Sequence, residues 1–186
     1  MAKALQNERE ITEFVALIKS EEVKSYLEIG SKFGGSLFKV AMAMPKGSRI
    51  VSVDLPGGTK DWKQSEKSLR SVVNELKVDG YDAHLILGVS QDENTIEKVR
   101  RLGPFDCVFI DADHRIDGVT ADWENYGPMA RMVAFHDIAW KRPADWAGTY
   151  RIDVPEFWNS IKGDYLHREM IYDPTGEDNG IGVLWR

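Results

Sequence analysis

The stretch that most narrows the fold of this chain is Tyr26-Leu-Glu-Ile-Gly-Ser-Lys-Phe-Gly-Gly-Ser36, followed by Val51-Ser-Val-Asp54. A short apolar run reaches Glu28, turns through Gly30, and meets Gly34-Gly35 just ahead of an apolar helical pattern from Leu37 to Met44. A second apolar run, Ile50 to Val53, then stops at an acidic residue. Strand, glycine turn, helix, strand and acid make a parallel unit whose glycines and acid lie at the carboxyl ends of neighbouring strands. Glycines there let the backbone approach a ligand, and a carboxylate at the second strand tip accepts hydrogen bonds from a ribose diol. The spacing is G-x-x-x-G-G, not the G-x-G-x-x-G of a pyrophosphate cradle. It favours a ligand with an adenosine end and no diphosphate, and speaks against a nicotinamide dehydrogenase.

The rest of the chain continues the pattern. Glu8 to Ile18 predicts an amphipathic helix with Ile11, Phe14, Val15 and Ile18 on one face. Strands are expected at Ser25–Ile29, Arg49–Val53, Ala83–Leu87, Phe105–Ile110 and Arg131–Phe135. Helices are expected at Ser36–Met44 (stopped by Pro45), Asp61–Lys77, Asp92–Leu102 and Val119–Met129. Such alternation is the signature of a parallel sheet covered on both faces. The end differs. A helix over Asp153–Ile161 precedes two strands, Tyr165–Ile171 and Ile181–Trp185, joined by the turn-rich Asp173-Pro-Thr-Gly-Glu-Asp-Asn-Gly180. The expected fold is α/β: a Rossmann-like, doubly wound, seven-stranded sheet, mostly parallel, with a C-terminal antiparallel hairpin.

Length and composition fit one domain over residues 1–186. Apolar residues at 42% and charged residues at 29% indicate a globular chain, not a disordered one. The apolar stretches are too short for a membrane span, the N-terminus lacks a signal-peptide pattern, and a cytoplasmic location is the default expectation. Cys107 is the only cysteine and lies in an apolar run, as a buried inert thiol would. A formal charge of -6 without a Lys/Arg block argues against a nucleic-acid partner.

Five strand ends are polar where a core strand needs nothing polar: Glu28 with Gly30, Asp54, Gly88-Val-Ser90-Gln91-Asp92, Asp111-Ala-Asp-His114, and His136-Asp137. In open α/β sheets ligands sit outside the carboxyl ends of the strands, so all five should face one crevice.

At these residues the chain resembles the class I S-adenosylmethionine-dependent methyltransferases, and among them the metal-dependent O-methyltransferases of the catechol, caffeoyl-CoA and macrocin/cephalosporin-cluster types. The resemblance is close from Tyr26 to Trp140 and looser over Gly180-Ile-Gly-Val-Leu-Trp185. Glu28-Ile-Gly30 with Gly34-Gly35-Ser36 is similar to the family's first motif, which wraps the methionine part of the cofactor. Asp54 matches the acid that binds the ribose hydroxyls, and Ser90 and Gln91 fall at the positions that contact adenine. Phe109-Ile-Asp-Ala-Asp-His114 matches the strand-four motif, whose first Asp binds metal and borders the cofactor. His136-Asp137 falls where the family places two more ligands, commonly Asp-Asn or Asp-Asp.

The resemblance thus implies S-adenosylmethionine held by Glu28, Gly30, Gly35, Ser36, Asp54, Ser90, Gln91 and Asp111, and a divalent metal at Asp111, His136 and Asp137. Mg²⁺ suits carboxylate oxygens. An imidazole at position 136 either tilts preference toward Mn²⁺, Fe²⁺ or Zn²⁺, or His136 is no ligand. Coordination would lower the pKa of an acceptor hydroxyl and orient it. His114 stands where catechol-type relatives carry a catalytic lysine; with an ordinary pKa of about 6.5 it is the candidate general base.

Other residues take plainer roles. Asp113 reads as structural, Asp117 and Asp122 as solvated charges near a helix start, and His84 and His167 as ordinary surface histidines. Trp123, Trp158 and Trp185 belong with the core. Trp140 and Trp146 lie in the irregular stretch 138–151, a candidate wall for a ring- or sugar-bearing acceptor. The expected activity is O-methylation of a small-molecule hydroxyl, with a homodimer as the default assembly. Two alternatives stand beside it: a metal-dependent hydroxylase-like enzyme on the same scaffold, and a non-catalytic S-adenosylmethionine-binding module.

Overall fold

The computed structural model describes residues 6–58, 65–141, 151–172 and 180–186. Its elements run α1 (Glu8–Ser20), β1 (Ser25–Ile29), α2 (Gly35–Ala43), β2 (Arg49–Asp54), α3 (Ser65–Val78), β3 (Asp82–Leu87), α4 (Glu93–Arg100), β4 (Phe105–Ile110), α5 (Ile116–Tyr126), β5 (Ala130–His136), α6 (Val154–Ile161), β6 (Leu166–Met170) and β7 (Ile181–Trp185). The strands form one sheet in the order β3-β2-β1-β4-β5-β7-β6. The first five are parallel, and β7 pairs antiparallel with both β5 and β6.

Period-two alternation along the strands explains the layering. On β1 and β4, Tyr26, Cys107 and Phe109 face a core completed by Ile11, Phe14 and Ile18 of α1, Leu37 and Val40 of α2, and Leu69 and Val73 of α3. Their neighbours Leu27, Ile29, Val108 and Ile110 face the opposite core, with Ile96 and Val99 of α4, Val119 and Tyr126 of α5, and Phe157 and Trp158 of α6. Both faces of the sheet are dry, which is why its central strands read as continuous apolar runs. Cys107 is buried, and burial pushes its thiol well above the ordinary range, so it is inert as expected.

Most boundaries fall within a residue or two of the sequence expectation, and the exceptions are informative. Helix α5 begins at Ile116, not Val119, because Asp153 Oδ2, 37 residues away, accepts from Ile116 N at 3.1 Å and caps the first turn. It ends at Tyr126 and tightens into a 3-10 turn at Gly127–Met129, since Pro128 offers no N–H. The expected start of α3 at residues 61–64, the turn at 173–179, and Trp146 lie outside the described residues. Among the described residues no helix is long and apolar enough to cross a membrane.

From β1 the chain winds outward through β2 to β3, then returns to lay β4 against the other side of β1. The carboxyl ends of β1 and β4 therefore flank the switch point, where an open α/β sheet forms its ligand crevice.

Candidate active site at the switch point

Gly30 closes β1 at φ 90°, a conformation that side chains rarely adopt. A Cβ there would sit 2.1 Å from the carbonyl oxygen of Asp111, so the backbones leaving β1 and β4 approach as closely as glycine permits. Gly30 N donates to Val53 O at 2.9 Å, and Asp111 N to Ile29 O at 2.8 Å, extending both ladders to the crevice edge. Lys32 follows at φ 51°, and its backbone N–H donates to Asp54 Oδ2. Leu55 N donates to Asp54 Oδ1 at 2.6 Å. Burial nonetheless raises the Asp54 carboxyl above its ordinary range. Burial lowers the Lys32 ammonium against the opposing pull of Asp111, Asp54 and Asp137.

Glu28 and Ser36 lie beneath this surface. Glu28 is fully buried; Ser36 donates to its Oε1 at 2.8 Å and Tyr26 OH to its Oε2 at 2.7 Å. Burial pushes Glu28 up to about 7, only partly offset by those two hydrogen bonds. The pair ties the first turn of α2 to β1. That turn starts at Gly35 behind Gly34, which supplies no capping side chain, so the first backbone donors of the helix receive no side-chain cap from that position.

Across the switch point, Asp111, His114, His136 and Asp137 form one charged cluster. Asp111 Oδ1 lies 3.3 Å from His114 Nε2 and 3.2 Å from His136 Nδ1. Asp137 Oδ2 lies 3.0 Å from His114 Nε2. Burial alone would lower both imidazoles, but the two carboxylates raise His114 to about 10 and His136 to about 9. Burial opposes ionisation of Asp111 too, yet His136 and His114 hold it well below the usual carboxylate range. Asp137 adopts φ 65°; it and Lys32 are two of the three described non-glycine residues at positive φ. Their strain at strand ends matches the pattern of functional loops.

One ligand atom each from Asp111, His136 and Asp137 lies within 4.8 Å of the others, as a single cation requires. Among the described residues, His136 Nε2 and Asp137 Oδ1 are buried without a hydrogen-bond partner. His136 Nδ1 faces both carboxylates, 3.2 Å from Asp111 Oδ1 and 3.3 Å from Asp137 Oδ1, and this one-nitrogen, two-carboxylate donor set fits a divalent ion. Gln6, just ahead of α1, donates to Asp111 Oδ2 at 2.9 Å, and nothing in its sequence context announces that contact.

The loop after β3 joins the crevice through Gly88 N, which donates to Asp54 O at 2.9 Å. It carries Ser90, buried, and Gln91, half-buried. Here one sequence expectation fails. Asp122 is no solvated charge: it is fully buried under this loop, accepting from Gln91 Nε2 at 3.1 Å, and burial pushes it up to about 7. Its spacing from Val119 and Tyr126 on the inner face of α5 was the available signal. Asp113 pairs with Arg115 Nε at 2.9 Å, and Asp117 is exposed, both as expected. His84 pairs with Asp82 at 2.7 Å and His167 is exposed, away from the crevice.

A family model described as a methyltransferase domain matches residues 27–138, more than half of the chain, taking in β1 through β5 and the cluster at their ends. The chain belongs to the methyltransferase domain family. No curated protein sequence matches it. Among solved structures, an O-methyltransferase from Bacillus cereus in complex with S-adenosylhomocysteine superposes at TM-score 0.71 and 17% identity, covering 97% of this chain and 82% of that one. The O-methyltransferase TomG from Streptomyces achromogenes, involved in tomaymycin synthesis and solved with S-adenosylmethionine, superposes at 0.68 and 18% identity, covering 96% and 80%. A protein from Staphylococcus aureus provisionally named a caffeoyl-CoA O-methyltransferase gives 0.74 at 14% identity, covering 99% and 86%. At these identities the structures establish the fold. Family and fold together make the chain a class I methyltransferase, the group whose methyl donor is S-adenosylmethionine.

Proposed function

We propose that this methyltransferase is an O-methyltransferase of a small-molecule hydroxyl, working as a single domain with a divalent cation at Asp111, His136 and Asp137. The observation that carries the reading is the contact of the two strand ends at the switch point. Gly30 is brought against the Asp111 backbone so closely that only glycine fits, with Asp54 at the end of the neighbouring strand accepting from Lys32 N. A methyl donor lying over Gly30 would therefore have its reacting end beside Asp111 and His114.

In this reading Asp54 accepts the ribose hydroxyls and Gly30 and Gly35 admit the cofactor close to the backbone. Glu28 and Ser36 support the first turn of α2, while Ser90 and Gln91 meet the adenine. Methyl transfer forms an oxygen–carbon bond as the sulfur–carbon bond breaks, the electron pair returning to sulfur, so the acceptor must be in line and lose its proton. A bound divalent cation would lower the pKa of the acceptor hydroxyl. In this reading His114 Nε2, 3.3 Å from Asp111 Oδ1 and 3.0 Å from Asp137 Oδ2, takes that proton, which it can do only when those carboxylates do not hold the imidazole protonated.

The test is formation of S-adenosylhomocysteine from S-adenosylmethionine with a panel of phenolic, catecholic and sugar hydroxyl acceptors, in Mg²⁺, in Mn²⁺ and in chelator. Cation-dependent product, reduced at least tenfold by His114→Ala, is the expected result. Turnover unchanged by that substitution would remove His114 as base, and transfer to nitrogen or carbon acceptors alone would overturn the O-methyl assignment. One observation favours a second reading: two imidazoles beside two carboxylates also suit iron. Co-purifying iron with oxygen uptake and no methyl transfer would select the hydroxylase-like alternative.

A further inference from the structure

Helix α5 grips the loop after β3 at two points. Tyr126 OH donates to Ser90 O at 2.6 Å, and Asp122, one turn earlier on the same face, accepts from Gln91 Nε2 at 3.1 Å. Asp122 is fully buried; the Ser90 side chain lies near it and lowers its proton affinity, yet its Oδ2 makes no hydrogen bond among the described residues. A buried carboxyl left half-used destabilises a fold relative to an apolar side chain of similar size. Its presence therefore calls for a role beyond packing. In its ionised form Asp122 accepts only from the NH₂ end of the Gln91 amide, as Oδ1 does here, and this fixes the orientation of that amide. The amide oxygen is then left as the acceptor for a ligand in the crevice.

We propose that Asp122 is a positioning residue for purine recognition: by holding the Gln91 amide with its nitrogen inward, it presents an oxygen that accepts from the 6-amino group of adenine and disfavours a 6-oxo purine. The proposal rests on the reading that the crevice binds S-adenosylmethionine. A 6-oxo purine would set two acceptor oxygens against each other, and buried polar groups left unpaired give strong discrimination. Tyr126 fixes the loop backbone while Asp122 fixes the side chain, so the two act on different features of one recognition element.

The experiment compares binding of S-adenosylhomocysteine with that of its deaminated analogue, S-inosylhomocysteine, by calorimetry on the full chain. Wild type should favour the adenine ligand by about tenfold or more. Asp122→Leu, similar in size, should weaken S-adenosylhomocysteine about tenfold and collapse the preference toward unity. Asp122→Asn, whose amide can donate as well as accept and so no longer fixes the Gln91 amide, should fold as wild type and reduce the preference. Gln91→Ala should match Asp122→Leu, and adding it to Asp122→Leu should cost nothing further, because both act through one contact. A merely structural role would lower affinity for both ligands equally and leave their ratio intact. That outcome overturns the proposal, as does an undiminished preference in Asp122→Asn or its survival in Gln91→Ala. If wild type binds neither ligand, the failure lies with the proposed cofactor site itself.

Discussion

At the ends of β1 and β2 the crevice is shaped by backbone: Gly30 at φ 90° against the Asp111 carbonyl, Lys32 N–H on Asp54, and an uncapped helix start at Gly34-Gly35. At the ends of β4 and β5 it is shaped by charge: two carboxylates and two imidazoles within about one hydrogen-bond length of each other. The first half is set by sterics and persists whatever the solution contains. The second is an electrostatic balance that a proton or a cation can retune. A methyl donor needs a fixed seat, whereas an acceptor hydroxyl needs a group whose proton affinity can change, and the two halves divide along that line.

Breaking the steric half should have the largest effect on the fold. Gly30→Ala forces a Cβ into the Asp111 backbone at a positive φ, and is expected to destabilise by about 3 kcal/mol or more, lowering the melting temperature by roughly 10 °C. The loss should be the same in chelator and in divalent ion; a wild-type melt would break the distinction between the halves. Asp111→Asn attacks the charged half. It leaves His114 and His136 with Asp137 alone and should cut methyl transfer on the order of 100-fold, a barrier increase of about 3 kcal/mol. Any rise in melting temperature that Mn²⁺ gives wild type should vanish with it.

Glu28 tests whether charge matters beneath the steric half too. Its carboxyl is raised from the ordinary 4.5 to about 7 in the fold, so the native state binds more protons than the unfolded chain between those pH values. Stability contributed by this group therefore falls as pH rises through that window, and the penalty is fully present above about 7. Glu28→Gln should stabilise at pH 8 by on the order of 2 kcal/mol and change little at pH 4.5, read by urea unfolding at both values. Equal effects at the two pH values would contradict the burial argument. Ser36→Ala, losing one hydrogen bond to Glu28, should cost about 1 kcal/mol and weaken cofactor binding a fewfold at most.

The same division explains what could be seen in the sequence. The glycine spacing, the Asp at the tip of β2 and the alternation of strand and helix are local signals, and the structure places those elements almost where the pattern put them. Asp111, His114, His136 and Asp137 were each legible as polar residues at strand ends, and the parallel topology brings them together. Long-range capping was hidden: the start of α5 is set by Asp153, and the Asp111 carboxylate is met by Gln6 from ahead of α1. The burial of Asp122 is signalled only by its helical phase with Val119 and Tyr126, and its charge masks that signal. β5 also extends through His136, a polar residue that the apolar pattern places beyond the strand.

The most direct test of the central claim is calorimetric titration with S-adenosylhomocysteine of wild type and Asp54→Ala, each in Mg²⁺ and in chelator. Micromolar binding by wild type under both conditions, lost in Asp54→Ala, is the predicted result, with the cation altering affinity only modestly because it belongs to the other half of the crevice. Absence of binding by wild type in either condition, or full affinity in Asp54→Ala, would contradict the assignment of this crevice as the methyl-donor site.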